Sequence, residues 1–229
     1  MGTLDKNICS NCSEVCEFIK QLDVEAKAKN AGSLINVRYK RKETVIKQNS
    51  HSAHIIYLKS GLVKLFTERR NDKNIILRIA TSGTYIGTTL LHSNTFDFSA
   101  VALRDCELCL IPKEIFMDFL FSNNNFSKFI YEANSLYTSF LINKISSLGT
   151  KQMHGRLADV ILYLCRNEFF GFDIFDFITR KDIAEMSGMS SESAIRLLTE
   201  FKNDGLIKAN GKKIEINNIE LLTRLSEIG

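Results

Sequence analysis

The 229-residue chain is 45% hydrophobic and carries a net charge of +4 at pH 7, with a pI near 8.7. That is enough apolar content for one large or two smaller cores, and a charge that permits nucleic-acid binding without requiring it. No run of about 18 consecutive apolar residues occurs, which excludes an ordinary membrane-spanning helix. Met1 to Lys6 hold no apolar signal core, so a cytoplasmic protein is expected, and six cysteines then point to metal, cluster or redox chemistry ahead of a disulfide scaffold.

Four zones are expected along the chain: a cysteine-containing segment (1–25), a β-barrel domain (26–122), a long helix (123–150) and a C-terminal α/β unit (151–229). The first zone carries Cys9, Cys12 and Cys16 in the spacing Cys-x2-Cys-x3-Cys. In the second, Ile55 to Leu58 reads as a strand stopped by Ser60-Gly61, and Leu62 to Phe66 alternates apolar and polar. Arg69 to Asp72 marks a hairpin tip, Ile75 to Ile79 is strand-like, and Ser82-Gly83 turns the chain again. Val101, Leu103 and Leu108 to Ile111 supply the last strands. Short strands with turns at this spacing predict an antiparallel barrel or sandwich.

After Pro112 the period becomes helical. Beyond a short helix and a break at Asn123-Asn124-Asn125, apolar residues recur from Phe126 to Leu148 at i, i+3, i+4, i+7 spacing. One reading packs this long helix on its own barrel. The other makes it a coiled-coil-like homodimer seam through Phe129, Ala133, Leu136, Phe140, Leu141 and Ile145. Lys144 is the only charge between Leu136 and Ile145, and its stem can snorkel outward. The seam holds no carboxylate to oppose pairing, so a dimer is expected even without a cofactor.

The last zone opens with a helix expected over Arg156 to Asn167. The run from Thr179 to Leu198 then carries a helix-turn-helix pattern. Thr179 and Asp182 have capping-box spacing, Gly188 sits where two helices must turn, and Ser190 or Ser191 caps the second helix. Ile195, Leu198 and Phe201 are assigned to its inner side. Glu192, Ser193 and Arg196 are assigned to its outer side, near the end that enters a major groove. Arginine can donate two hydrogen bonds to guanine, and glutamate can accept from cytosine. Leu206 to Ile216 predicts two strands around Asn210-Gly211, a wing whose Lys208, Lys212 and Lys213 would lie near phosphates. Thr179, Arg180, Ser191 and Ile195 complete the candidate DNA-contacting set. A two-fold dimer would set its recognition helices roughly 34 Å apart and so select a near-palindromic operator.

With Leu58-Lys59-Ser60-Gly61, Ser82 to Gly87, the long helix and the Ile183…Gly188…Glu192-Ser193-Ala194-Ile195-Arg196 run in place, the chain resembles the CRP/FNR family over nearly its whole length. The resemblance implies an α+β fold: an N-terminal double-stranded β-helix (cyclic-nucleotide-binding-like) barrel, a dimerisation helix and a C-terminal winged helix-turn-helix. It implies double-stranded DNA, a second copy and RNA polymerase as partners, with Glu192 and Arg196 on a G·C-containing part of each half-site. Ile195 stands where relatives often carry serine or glycine; a branched apolar side chain there would suit a thymine methyl.

Family members that bind cyclic nucleotides place a glutamate after the glycine matched by Gly87, and an Arg-Ser/Thr-Ala run for the phosphate. Here those places read Gly87-Thr88-Thr89 and Phe98-Ser99-Ala100, and phenylalanine supplies no cation, which argues against that ligand. The cysteines are similar to the FNR type: Cys9, Cys12 and Cys16 near the N-terminus and Cys109 just before Ile111-Pro112, with a shorter Cys12–Cys16 gap than in enteric relatives. Four thiolates of this kind imply a 4Fe–4S cluster and a redox or gas signal.

Zinc is the competing ligand, through Cys106-x2-Cys109 with Cys9-x2-Cys12, yet residues three apart on a strand point to opposite faces. Thiol oxidation, haem on His51, His54, His92 or His154, and a regulator that needs no effector are further alternatives. Cys165 reads as a core thiol. No Ser-His-Asp order, phosphate-binding glycine loop or paired acids stand out, so an enzyme, such as an iron–sulfur oxidoreductase, is not expected. A barrel that mediates protein contacts beside a vestigial helix-turn-helix is the remaining class.

Overall fold

The computed structural model describes residues 3–5, 33–69, 74–169 and 171–229. The chain divides into two compact units, residues 1–68 with 78–138, and residues 69–77 with 139–229. The division falls within the long helix, where the sequence predicts an uninterrupted zone.

The first unit is built on two antiparallel-paired sheets. One orders β1 (Thr3–Asp5), β2 (Ile35–Tyr39), β9 (Cys106–Pro112), β4 (His54–Ser60) and β7 (Tyr85–Ile86). The other orders β3 (Thr44–Ile46), β8 (Ser99–Ala102), β5 (Leu62–Thr67) and β6 (Ile75–Thr81). Strand β9 is central, with Cys109 opposite Asn36 of β2 and Tyr57 of β4. Residues Ile55 to Leu58 of β4 are all buried, so the polar alternation of a solvent-facing strand is missing because both faces are covered. The turn between β4 and β5 requires glycine. Gly61 has φ of 102°, and a Cβ there would lie 2.5 Å from Cys106 Cβ and 2.6 Å from the Asp105 carbonyl oxygen.

Helices α1 (Lys113–Ser122) and α2 (Asn124–Thr150) follow. The break is shorter than the three asparagines predict: only Asn123 interrupts, and its Oδ1 accepts from the Phe126 N–H at 2.9 Å to cap α2. Phe116 of α1 and Phe126 and Ile130 of α2 bury against Ile55, Tyr57, Tyr85, Cys109 and Ile111. Packing on the barrel of its own chain is therefore what the first two turns of α2 do.

The second unit contains α3 (Met153–Leu164), the short α4 (Ile174–Phe177), α5 (Arg180–Ser187), α6 (Ser191–Asn203), a hairpin of β10 (Ile207–Asn210) and β11 (Lys213–Ile216), and α7 (Ile219–Ile228). Helix α3 begins three residues earlier than predicted and stops at Leu164, leaving Cys165 half-buried at its C-cap instead of deep in the core. The hairpin pairs Asn210 with Lys213 around Gly211-Lys212, where the Asn-Gly signal places it.

Candidate nucleic-acid interface and the cysteine region

The helix-turn-helix is fixed by local chemistry. Thr179 Oγ1 accepts from the Asp182 N–H at 3.1 Å, and the Asp182 carboxylate accepts from the Thr179 N–H at 2.8 Å, a reciprocal capping box for α5. Gly188 ends α5 with φ of 62°, the left-handed conformation glycine adopts without strain. Ser190 caps α6 by accepting from the Ser193 N–H at 3.1 Å. Thr179→Ala should lower stability by about 1 kcal/mol, as read by the shift in chemical-denaturation midpoint at constant slope.

Helix α6 buries Ala194, Leu197, Leu198 and Phe201. Glu192 and Arg196 are exposed, and Ser191 and Ser193 are half-buried. Ile195 is 51% exposed, which corrects its assignment to the inner side: Leu197 fills that place, and Ile195 joins the outer row with Glu192 and Arg196. The Glu192 carboxylate accepts from its own N–H and from the Ser190 hydroxyl, which holds it below the usual carboxylate range, so it is an ionised acceptor at the start of the helix. Arg180 is committed within the unit: its Nη2 donates to the Gly211 carbonyl at 2.9 Å, tying the start of α5 to the wing tip. Sequence spacing gives no hint of that link, since 31 residues separate the partners. On the wing, Lys213 lies 3.4 Å from Glu215, whereas Lys208 and Lys212 are exposed with no ion pair among the described residues.

The six predicted seam residues do not share one face of α2. At about 100° per residue, Leu136 and Ile145 point half a turn apart. Phe140 packs its ring on Tyr163 at 5.1 Å, and Phe129 sits 6.2 Å from Tyr85, so both serve their own units. Leu141 is half-buried, and Ala133 and Leu136 are exposed beside Phe129. Ile145 (69%) is exposed, as are Ile142 (60%) and Tyr131 (74%), two residues that the predicted seam omits. Counting back from Ile145 in steps of three and four reaches Ile142, Thr138, Ser135 and Tyr131, a heptad pattern visible in the sequence. Lys144 does not snorkel outward. It is turned inward, with Nζ donating to the Met186 carbonyl at 2.9 Å.

In the first unit, Gly87 is left-handed at φ 97°, Thr88 Oγ1 donates to Asn134 Oδ1 at 2.7 Å, and Phe98 is buried beside Phe96. Ser99 Oγ donates to the Glu68 carboxylate at 2.5 Å, and Lys47 is bound to that same carboxylate at 2.7 Å. A carboxylate thus occupies the hydroxyl that a cyclic phosphate would need, and the nearby lysine is already paired. These residues do not fit a cyclic nucleotide.

Of the cysteines proposed as ligands, Cys9, Cys12 and Cys16 lie outside the described residues. Cys109 is 2% exposed on the helix-covered face of β9, with Ile111. Cys106 is buried on the other face, as strand alternation requires, and burial pushes its thiol up to about 11, with Asp105 adding to the rise. Cys106 and Cys109 therefore do not converge on one ion. Among the described residues no group of three His, Cys, Asp or Glu side chains is placed to hold a metal. The four histidines are dispersed: His154 lies 2.9 Å from Glu200, His54 sits in β4 with its pKa lowered by burial, and His51 and His92 are exposed.

Residues 36–123 match the model of the cyclic nucleotide-binding domain, and residues 155–225 match that of the Crp-like helix-turn-helix domain. The chain is 27% identical over 188 residues to the fumarate and nitrate reduction regulatory protein of Shigella dysenteriae, covering 80% of this chain and 75% of that one. It is 25% identical to the cAMP-activated global transcriptional regulator CRP of Salmonella typhimurium, covering 78% and 88%. Its fold is similar to that of FixK2 from Bradyrhizobium japonicum, with a TM-score of 0.70 at 16% identity, over 83% of this chain and 96% of that one. No helix among the described residues is long and apolar enough to cross a membrane. A cyclic-nucleotide-binding-like barrel, a long helix and a capped helix-turn-helix with a hairpin wing thus stand in family order, and the chain belongs to the CRP/FNR family of DNA-binding transcription regulators.

Proposed function

We propose that the chain acts as a homodimer that reads a near-palindromic operator through α6 and responds to a redox or gas signal through a thiolate-held iron–sulfur cluster. The observation that carries the reading is the solvent-facing row of Glu192, Ile195 and Arg196 on a helix whose inner side is fully packed. Arg196 would donate to guanine, Glu192 accept from cytosine and Ile195 meet a thymine methyl, while Thr179, Ser191 and Ser193 at the helix starts reach backbone phosphates. Arg180 supports the wing, and Lys208, Lys212 and Lys213 supply phosphate contacts. RNA polymerase is the further partner through which a regulator of this family acts.

Arg196→Ala should cost about 1–3 kcal/mol at one guanine-containing step and relax the preference there. Lys212→Ala should weaken all sequences alike and flatten the salt dependence by about one unit of slope. Lys213→Ala should do less, since Glu215 already offsets that charge. Competition binding against single-base operator variants checks all three. An Arg196→Ala protein with wild-type affinity and wild-type base preference would show that α6 does not read the operator.

What supports the cluster is the thiol set: Cys-x2-Cys-x3-Cys upstream and Cys109 on the helix-covered face of the central strand. When bound by four thiolates, such a cluster supplies an oxygen-labile redox centre. Cys109 shares its aromatic shell with Phe116 and Phe126 of α1 and α2, so a change at that sulfur is felt directly where α2 is anchored. The homodimer reading rests on Tyr131, Ile142 and Ile145, large apolar side chains that α2 leaves exposed.

A further inference from the structure

Within the second unit a cavity of about 420 Å³ opens between the C-terminal half of α2 and α3, reaching Met186 of α5 and Ser226 of α7. Small-molecule sites commonly span about 300–1,000 Å³. Its wall carries four cations, Lys144, Lys151, Arg156 and Arg166, against one carboxylate, Asp159. That carboxylate is fully engaged: it accepts from Ser147 Oγ at 2.5 Å, from Lys151 Nζ at 2.9 Å and from Ser226 Oγ. Lys151 is thereby neutralised, and the other three cations have no ion pair among the described residues.

Each of the three is only partly used. Lys144 Nζ donates to the Met186 carbonyl at 2.9 Å, and Arg156 Nη1 donates to the Gly188 carbonyl at 3.3 Å. Both thus cap the C-terminal end of α5, where the helix dipole favours positive charge. That duty takes one donor of the ammonium's three and one of the guanidinium's five. Arg156 Nε is buried without a hydrogen-bond partner, and Arg166 lies over the Tyr163 ring at 5.6 Å with no anionic partner among the described residues. Burial pulls Lys144 down to about 8, only partly opposed by Asp159. A buried donor left unused, as Arg156 Nε is, is costly, and an anion with several oxygens would take it up together with the free donors of Lys144 and the exposed Arg166.

We propose that this cavity binds a small phosphoryl anion, inorganic phosphate or the phosphoryl group of a metabolite, held by Lys144, Arg156 and Arg166. Two of these cations also close α5 beside the turn at Gly188, so occupancy bears on the helix-turn-helix itself.

The test uses the full chain, with thermal unfolding followed during titration with inorganic phosphate and with ribose 5-phosphate, and chloride at matched ionic strength as control. The expected result is a saturable rise in unfolding midpoint with the phosphoryl compounds and none with chloride. Tighter binding of ribose 5-phosphate assigns the site to a metabolite; equal binding assigns it to free phosphate. Arg166→Gln and Lys144→Gln should each weaken binding about tenfold or more, whereas Lys212→Ala on the wing should leave it unchanged. Should Lys144→Gln fail to fold, Arg166→Gln and the unmodified protein decide. No saturable rise in the unmodified protein, binding intact in Arg166→Gln, or binding abolished by Lys212→Ala would each overturn the proposal.

Discussion

Ile145→Glu, or Ile142→Glu, should convert a dimer into a monomer and drop operator affinity toward the non-specific level, by about 10³-fold or more. The reason is geometric. Across a two-fold axis each position meets its own copy, so one substitution brings two carboxylates together in an apolar seam. On α2 Tyr131, Thr138, Ile142 and Ile145 are uncharged, Lys128 one turn before Tyr131 lies 3.9 Å from Glu132, and Lys144 is turned to the Met186 carbonyl of its own chain. With nothing in the seam to oppose pairing, the dimer should persist without a cofactor, and the signal should act by reorienting DNA-binding units already paired. Leu136→Glu lies about half a turn from Ile145 and should leave the dimer intact. Sedimentation velocity of the cofactor-free protein at micromolar concentration separates the outcomes. A monomeric Leu136→Glu protein beside a dimeric Ile145→Glu protein would place the seam on the other face.

Phe126→Ala should destabilise the barrel unit by about 3–5 kcal/mol, the cost of removing a large buried ring together with the cavity it leaves. Phe126 is fully buried and lies 5.4 Å from Phe116, 5.1 Å from Phe119 and 6.0 Å from Tyr85. These rings meet tilted or edge-on, the geometry in which aromatic pairs add to area burial. The surrounding shell comes from strands as well as helices, so the site cannot collapse onto the gap. Phe126→Leu should recover much of the loss. Denaturant unfolding followed by circular dichroism reads both, and a loss under about 1 kcal/mol for Phe126→Ala would mean the first turns of α2 are not anchored as described.

The helix-turn-helix is legible in the sequence because its determinants are local. Thr179 and Asp182 are three residues apart, Gly188 carries the turn, and Ser190 caps the next helix within the same short run. The hairpin around Asn210-Gly211 is local in the same sense. What sequence periodicity misplaces depends on distant partners. Ile195 fits an inward periodicity with Leu198, yet Leu197 takes the core position and leaves Ile195 in solvent. Lys144 looks like a surface lysine until α5, 42 residues on, presents the Met186 carbonyl. The stripe on α2 reads as one seam because 3.6-residue periodicity is tolerant over six turns. It divides in fact between Phe126 and Ile130 in the barrel core, Phe140 against Tyr163, and an exposed face at Ile142 and Ile145. The barrel's lack of fit to a cyclic nucleotide is visible in Phe98 alone, but the role of Glu68 in occupying Ser99 is not, since 31 residues separate them.

Iron, acid-labile sulfide and zinc analysis of the 229-residue protein purified without oxygen tests whether Cys9, Cys12, Cys16 and Cys109 hold a 4Fe–4S cluster that sets DNA binding. Iron and sulfide are expected in the preparation, with visible absorption that bleaches in air. Cys109→Ser should remove most of both, whereas Cys165→Ser, at the end of α3 in the other unit, should keep them. Stoichiometric zinc without sulfide, or an iron content unchanged by Cys109→Ser, would contradict it.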